Sequence, residues 1–160
     1  MSQKITLQIN GQAHTTTISN HQLLLQVLRE KFQLFGVREG CGVGMCGACT
    51  VLLDGKPVSS CLTLAVMAVG KEITTIEGLS RGDELHPVQQ AFLDKHGFQC
   101  SYCTPGFILA TVSLLADHPK ADADTIREYL AGNLCRCGSY VNILQAVQQC
   151  VAEYQKESGQ

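Results

Sequence analysis

The stretch Gly40-Cys41-Gly42-Val43-Gly44-Met45-Cys46-Gly47-Ala48-Cys49 brings three cysteines within ten residues, and Cys61 follows after eleven intervening residues. Four glycines accompany these cysteines. Because glycine adopts positive φ angles without steric cost, the backbone of such a loop can turn sharply and approach a bound group closely. Successive N–H groups in a loop of this kind point inward and favour an anion. The stretch therefore predicts a tight loop around a thiolate-bound metal centre.

The spacing of these cysteines distinguishes two kinds of metal centre. Three thiolates in the order Cys41-x4-Cys46-x2-Cys49, completed by Cys61 from a later strand, follow the spacing of plant-type [2Fe–2S] clusters. A structural zinc site of four cysteines more often consists of two Cys-x2-Cys pairs. We therefore predict that the first cysteine set, defined as Cys41, Cys46, Cys49 and Cys61, binds one [2Fe–2S] cluster.

The second cysteine set consists of Cys100, Cys103, Cys135 and Cys137. Each pair shortly precedes a predicted helix, with Thr104 and Ser139 as the expected helix caps. Two helix N-termini would then meet at one site, where their partial positive charges favour an anionic cluster. The spacing alone leaves a second [2Fe–2S] cluster and a structural zinc ion both open.

Hydrophobic periodicity predicts an α+β fold in two domains. Residues 1–79 alternate in the manner of strands around one helical segment, and Asn10-Gly11 is a strong hairpin signal. This combination indicates a plant-ferredoxin-like β-grasp domain. Residues 85–160 change to helical periodicity, with Pro87 at a helix start, and indicate a four-helix bundle domain. The predicted helices are Pro87–Lys95, Pro105–Ala116, Ile126–Ala131 and Tyr140–Tyr154. The polar segment 80–84 is the predicted linker.

The composition argues against several functions. The net charge of −2 and a pI near 6.2 give no basic footprint, so we expect no nucleic-acid partner. No apolar stretch approaches the ~20 residues that span a bilayer, so we expect no direct membrane insertion. The N-terminus lacks the apolar core of a secretory signal, which predicts a cytoplasmic protein. In that reducing compartment nine cysteines indicate metal binding rather than disulfides. Cys150, outside both sets, is predicted to be a core residue.

Three cysteine-containing segments carry a resemblance to a known family. Glu39–Val51 resembles the first cluster motif of the xanthine dehydrogenase/aldehyde oxidase family of molybdenum hydroxylases, whereas Gln99–Gly106 and Gly132–Cys137 resemble its second cluster motifs. Thr74–Leu79 and His86–Gln89 also fit. The resemblance covers nearly the whole chain and is to the small [2Fe–2S] iron–sulfur subunit of that family. It favours a second cluster over zinc.

The resemblance implies electron transfer within a larger oxidoreductase. A large subunit with a molybdopterin cofactor would hydroxylate an aldehyde or N-heterocycle, and an FAD-binding subunit or another acceptor would receive the electrons. The second cluster would lie nearer the molybdopterin, with Gln99 and Cys137 close to it. No residue of this chain would be catalytic. The family often has Gly-Phe at Ser101-Tyr102 and Thr-Gly-Tyr at Gly138-Ser139-Tyr140, and these departures leave the substrate open.

Two other interpretations remain at this point. The chain would be a stand-alone ferredoxin-like carrier if a structural zinc ion occupied the helical domain. It would be a purely structural interaction module if both cysteine sets held zinc. Iron and zinc content separates all three interpretations.

Overall fold

The computed structural model describes residues 2–158, in which a mixed sheet is followed by a group of helices. The strands are β1 Ser2–Ile9, β2 Gln12–Ser19, β3 Thr50–Leu53, β4 Lys56–Ser59 and β5 Glu72–Thr74. The α-helices are α1 Leu24–Glu30, α2 Pro87–Asp94, α3 Thr104–Asp117, α4 Ala123–Tyr129 and α5 Tyr140–Ser158. Single 3₁₀ turns occupy Ala65–Ala68, Ile76–Gly78 and Leu130–Gly132.

The sheet has the strand order β2-β1-β5-β3-β4, in which β1 and β5 are parallel and the other neighbours are antiparallel. The β1–β2 hairpin turns at Asn10 and Gly11, whose φ angles are +52° and +77°. The alternating side chains of β1 are buried against one face of α1; the residues of this core include Ile5, Leu7, Ile9, Leu24, Val27 and Leu28. A single helix held by a mixed sheet is the β-grasp arrangement, and the predicted fold of this part is confirmed.

The helices α2 to α5 form the second part of the protein. Pro87 begins α2, where a missing backbone N–H costs nothing. Helix α3 is buried along most of its length because it packs against β3 on one side and against α2 and α5 on the other. The α+β class, with a ferredoxin-like part followed by a helical part, is therefore confirmed. No helix within residues 2–158 is both long and apolar enough to cross a bilayer.

The bounds of α4 and both expected helix caps differ from the prediction, and α5 continues to Ser158 rather than ending at Tyr154. Helix α4 begins at Ala123 rather than Ile126, because the side chain of Asp122 accepts a hydrogen bond from the Thr125 N–H at 2.8 Å and caps the helix earlier. Thr104 does not cap α3: it is already helical, and the cap position falls on Cys103. The Ser139 hydroxyl precedes α5 but makes no capping bond.

Polar contacts join the sheet to the helices on the side away from the cysteines. Lys56 of β4 forms an ion pair with Asp117 at the end of α3. The Tyr129 hydroxyl donates to the Asp117 carboxylate at 2.9 Å, and the Ser113 hydroxyl donates to the Gly55 carbonyl at 2.9 Å. The turn after β3 is thereby held against α3 and α4, which fixes how the two parts sit on each other.

Candidate metal centres

The first cysteine set is built on the loop between α1 and β3. Three glycines of this loop adopt left-handed backbone conformations: Gly42, Gly44 and Gly47 have φ angles of +68°, +76° and +68°. These turns aim backbone N–H groups at sulfur: Val43 and Met45 both donate to Cys41 Sγ, at 3.4 and 3.3 Å. The predicted function of the glycines, which is to allow inward N–H donors, is therefore seen in the geometry of this loop.

The sulfurs of the first set lie in pairs. Cys49 directly precedes β3 and Cys61 closely follows β4, so the antiparallel pairing of these strands brings the two thiols into contact. Cys41 contacts Cys46 in the same way within the loop. Cys49 and Cys61 are buried, whereas Cys41 is exposed. Two pairs of thiols are the donor set that a cluster of two irons takes up.

The second cysteine set gathers at the N-terminal ends of two helices. Cys100 and Cys103 precede α3, and Cys135 and Cys137 precede α5. Cys100 contacts Cys137, and Cys103 contacts Cys135, so this set also forms two pairs. The backbone N–H of Ser139 donates to Cys135 Sγ at 3.4 Å. The predicted convergence of the two distant cysteine pairs is found in the structure.

The two cysteine sets open onto one cavity. Its volume is about 500 Å³, and its lining includes Cys41 and Cys46 from the first set and Cys100, Cys103 and Cys135 from the second. Direct hydrogen bonds close the gap beside it: the Leu134 N–H donates to the Cys46 carbonyl at 2.9 Å, and the Tyr102 hydroxyl donates to the Glu39 carbonyl at 2.7 Å. Leu134 directly precedes Cys135 of the second set, so this set is linked by one hydrogen bond to Cys46 of the first set.

Family comparison explains this pair of sites. A model described as a 2Fe-2S iron–sulfur cluster binding domain matches residues 7–74, and one described as a [2Fe-2S] binding domain matches residues 75–148. The iron–sulfur-binding subunit of an aldehyde oxidoreductase from Escherichia coli is 45% identical, over 93% of this chain and 72% of the relative. The chain belongs to the [2Fe–2S] iron–sulfur subunits of the xanthine dehydrogenase/aldehyde oxidase family. The resemblance stated from its motifs is confirmed, and the protein is an oxidoreductase subunit with two [2Fe–2S]-binding domains.

Solved structures agree with this assignment. Quinoline 2-oxidoreductase from Pseudomonas putida 86 contains a chain that superimposes with a TM-score of 0.92 at 41% identity, covering 98% of this chain and 97% of that one. The aldehyde oxidoreductase from Desulfovibrio desulfuricans matches with a TM-score of 0.91 at 39% identity over 96% of this chain. The match there occupies only 17% of a much longer chain. The same iron–sulfur unit is thus a separate chain in one case and a part of a long polypeptide in the other.

Local contacts lower the pKa of one thiol of this subunit and raise the pKa of two others. The Val43 N–H lowers the pKa of Cys41 to about 7 by stabilising its thiolate, with a smaller effect from the Met45 N–H. Burial raises the pKa of Cys61 to about 11 and that of Cys103 to about 12. Cys61 and Cys103 therefore keep their protons at neutral pH in the ligand-free chain. Iron binding must release those protons, since the thiolate is the ligand.

The residues present fit [2Fe–2S] clusters. Each site offers four thiols in two pairs, with backbone N–H groups directed at sulfur. The buried hydroxyl of Ser139, whose N–H contacts Cys135 Sγ, has no hydrogen-bond partner in the protein, so an additional acceptor belongs there. Among residues 2–158, no three His, Cys, Asp or Glu side chains converge in the manner of a single-ion site.

The residues expected near a molybdopterin lie together at the surface. Gln99 and Cys137 are both exposed, and Gln99 Nε2 donates to the Cys137 carbonyl at 3.3 Å. Sequence reasoning missed Asn133, which is buried and donates from Nδ2 to the Gly47 carbonyl at 3.1 Å. This asparagine lies within the motif Gly132–Cys137, but nothing in that motif indicates its contact, because the partner is 86 residues away in sequence.

Proposed function

We propose that this chain transfers electrons inside a molybdenum hydroxylase. It would receive them from a molybdopterin centre on a large subunit that hydroxylates an aldehyde or N-heterocycle, and pass them to an FAD-binding subunit or another acceptor. The observation that carries this proposal is the pair of thiol sets on one cavity, bridged by the hydrogen bond from Leu134 N–H to the Cys46 carbonyl. A chain with a single cluster would need no such bridge.

The proposed ligands are the eight cysteines of the two sets. The first cluster would be held by Cys41, Cys46, Cys49 and Cys61, and the second by Cys100, Cys103, Cys135 and Cys137. When bound, each [2Fe–2S] cluster accepts and releases one electron. The chain itself supplies the donors to sulfur, keeps Cys49, Cys61 and Cys135 away from water, and holds both sites at a fixed separation through the contacts of Tyr102 and Leu134.

The short connection between the sites supports a direct route from one to the other. It runs from Cys135 along the backbone to Leu134, across the 2.9 Å hydrogen bond to the Cys46 carbonyl, and through that residue to its sulfur. A hydrogen bond between rigid backbone segments couples two redox centres better than a gap filled by mobile water. The route therefore links the second set, at the Gln99–Cys137 edge, with the first set at the opposite side of the cavity.

Exposed side chains support partners at both ends of this route. Apolar residues around the first set are open to solvent: Val43 is 59% exposed, Met45 70% and Leu62 61%. A contiguous apolar surface of this kind is typical of a docking interface. At the other end, the exposed Gln99 and Cys137 offer the second set to a large subunit. The match to one part of a much longer oxidoreductase chain is consistent with such an association.

The remaining features of the proposal concern organisation. We divide the chain into domains at residues 1–79 and 85–160, because the segment between them contains an exposed turn, residues 81–84, closed by hydrogen bonds between Arg81 and Glu84. We also propose a cytoplasmic location, with neither nucleic-acid binding nor direct membrane insertion. The substrate of the assembly would be determined by residues of the large subunit.

The partner claim is tested by anaerobic affinity purification of the tagged chain from its native host, with untagged cells as the control. The purified material should contain a much larger chain and stoichiometric molybdenum, measured by mass spectrometry and elemental analysis. A chain that purifies alone, with about two irons and one zinc, would instead be a ferredoxin-like carrier with a zinc-binding helical domain. That result would contradict the proposed function.

A further inference from the structure

Unpartnered buried hydroxyl groups are found beside the second cysteine set. Among the described residues, the buried side-chain oxygens without a hydrogen-bond partner belong to Thr104 and Ser139. Leaving such a group unsatisfied is unfavourable, so native proteins avoid it unless a ligand supplies the partner. Thr104 directly follows Cys103, and Ser139 lies two residues after Cys137. Thr104 lines a separate cavity with Phe92 and Ile108, whereas Ser139 contacts a sulfur of the second set through its backbone N–H.

Ser139 has the more specific relation to a sulfur atom. Its side chain is only 6% exposed, and its backbone N–H donates to Cys135 Sγ at 3.4 Å. This bond places Ser139 beside the Cys135 sulfur, and its buried hydroxyl has no hydrogen-bond partner in the protein.

The usual function of a serine at this position does not account for the hydroxyl. A serine before a helix normally accepts a hydrogen bond from an N–H of the first turn. The Ser139 hydroxyl makes no such bond, and only the carbonyl of this residue takes part in the helix, by accepting from the Ile143 N–H at 3.0 Å. The proton of the hydroxyl is therefore available to an acceptor outside α5.

We propose that the Ser139 hydroxyl donates a hydrogen bond to a sulfur of the second [2Fe–2S] cluster, at or beside Cys135, and raises the reduction potential of that cluster. Reduction adds negative charge to the cluster, and a donor to its sulfur stabilises the reduced form more than the oxidised form. The inference rests on the proposed ligand assignment of the second set. Ser139 is a residue that tunes the cluster and does not bind iron.

The effect of Ser139 on reduction potential should be confined to the second cluster, because the donors to sulfur in the first set are of a different kind. There the donors to Cys41 Sγ are backbone N–H groups, which no side-chain substitution removes. The one buried serine beside that set among the described residues, Ser60, already donates its hydroxyl to the Cys49 carbonyl at 2.7 Å. A substitution at Ser139 should therefore change the potential of one cluster and leave the other as it was.

The test is an EPR-monitored redox titration of the full chain carrying Ser139→Ala, Ser139→Thr or no substitution. We expect Ser139→Ala to shift the midpoint potential of one signal to a more negative value, and Ser139→Thr to restore it because the hydroxyl is kept. ENDOR after exchange into D₂O should show one fewer exchangeable proton coupled to that cluster in Ser139→Ala. The matched control is Ser113→Ala, which removes a buried hydroxyl engaged with Gly55 and Tyr129 far from the cysteines.

The outcomes separate this inference from the proposed function. Suppose that the wild type shows two signals, and that Ser139→Ala changes neither the midpoint potentials nor the proton couplings. That result would overturn the inference and leave the two-cluster assignment intact. Equal shifts in the midpoint potentials of both signals would also overturn the inference, and so would the same shift in Ser113→Ala. Either result would show that the substitution acts by destabilising the fold and not through a hydrogen bond to one cluster. A wild-type chain with only one signal would overturn the two-cluster assignment and this inference with it.

Discussion

The contact between Gly106 and Gly47 offers a sharp test of how the two parts of the chain pack. Gly106 lies in the first turn of α3, and a Cβ added there would lie 2.2 Å from the Gly47 carbonyl oxygen and 3.1 Å from Asn133 Nδ2. A backbone oxygen cannot rotate away as a side chain can. This oxygen is also held by hydrogen bonds from the Thr50 N–H, the Thr50 hydroxyl and Asn133. Gly106→Ala should therefore push the helix away from residues 31–49, the loop between α1 and β3 that we call the first-cluster loop.

The magnitude follows from two opposing effects. Alanine in place of a helical glycine stabilises by about 1 kcal/mol. Forcing an extra methyl group into a well-packed contact costs about 1–3 kcal/mol, and a 2.2 Å approach to fixed backbone places this substitution at the upper end. The net loss is about 2 kcal/mol in the free energy of unfolding, which for a chain of this length lowers Tm by about 4–8 °C.

The assay is anaerobic thermal unfolding of samples matched for iron content, followed by circular dichroism. The matched control is Gly132→Ala, because a Cβ at Gly132 meets nothing within 4 Å and the residue is exposed. We expect the control to unfold at or near the wild-type temperature. A Gly106→Ala protein as stable as the wild type, or more stable, would refute the close packing of α3 on the first-cluster loop.

Three further predictions concern individual side chains. Cys46→Ser should remove or strongly alter one EPR signal of the reduced chain and leave the other, whereas two unaltered signals would show that Cys46 is not a ligand. Cys150→Ser should retain both clusters at a cost of about 1 kcal/mol in stability, because this buried thiol packs in the helical core; loss of either signal would contradict that placement. The Val88 N–H donates to His86 Nδ1 at 3.2 Å at the start of α2, and burial, with a smaller effect from Arg81, lowers the pKa of His86 below its ordinary value of 6.5. The neutral form is thus stabilised in the folded state, so this stability is present above pH 6.5 and lost as the pH falls through the lowered pKa. His86→Asn should reduce that acid sensitivity in denaturant titrations at several pH values, and an unchanged pH dependence would rule His86 out as its source.

Local sequence patterns predict most of the elements, and the cysteine spacing divides eight cysteines into two sets. Asn10-Gly11 indicates a hairpin because both residues accept positive φ angles, and the structure has both. The glycines of the first-cluster loop predict a tight loop for the same reason, because glycine accepts positive φ angles. The convergence of Cys100–Cys103 with Cys135–Cys137 was inferred from helix starts and from the family resemblance, since cysteine spacing alone left zinc open.

Local sequence patterns do not predict the interface between the two parts of the chain. Gly106 is the second residue of the predicted helix Pro105–Ala116, and only the tertiary structure shows that the Gly47 carbonyl leaves no room for a side chain there. Asn133 is likewise buried by contacts with the distant first-cluster loop. Ser139 was predicted to be a helix cap, as a serine before a helix usually is, but its hydroxyl makes no capping bond and its N–H donates to a sulfur atom instead. In each case a long-range contact decides the function of the residue.

The most direct test of two clusters in one chain is low-temperature EPR on the anaerobically purified, dithionite-reduced protein, with iron and sulfide measured on the same sample. The account predicts two distinguishable rhombic signals that integrate to about two spins, with about four irons and four sulfides per chain. One signal with about two irons and one zinc per chain would contradict it, since the second cysteine set would then hold a structural metal ion and could not relay electrons.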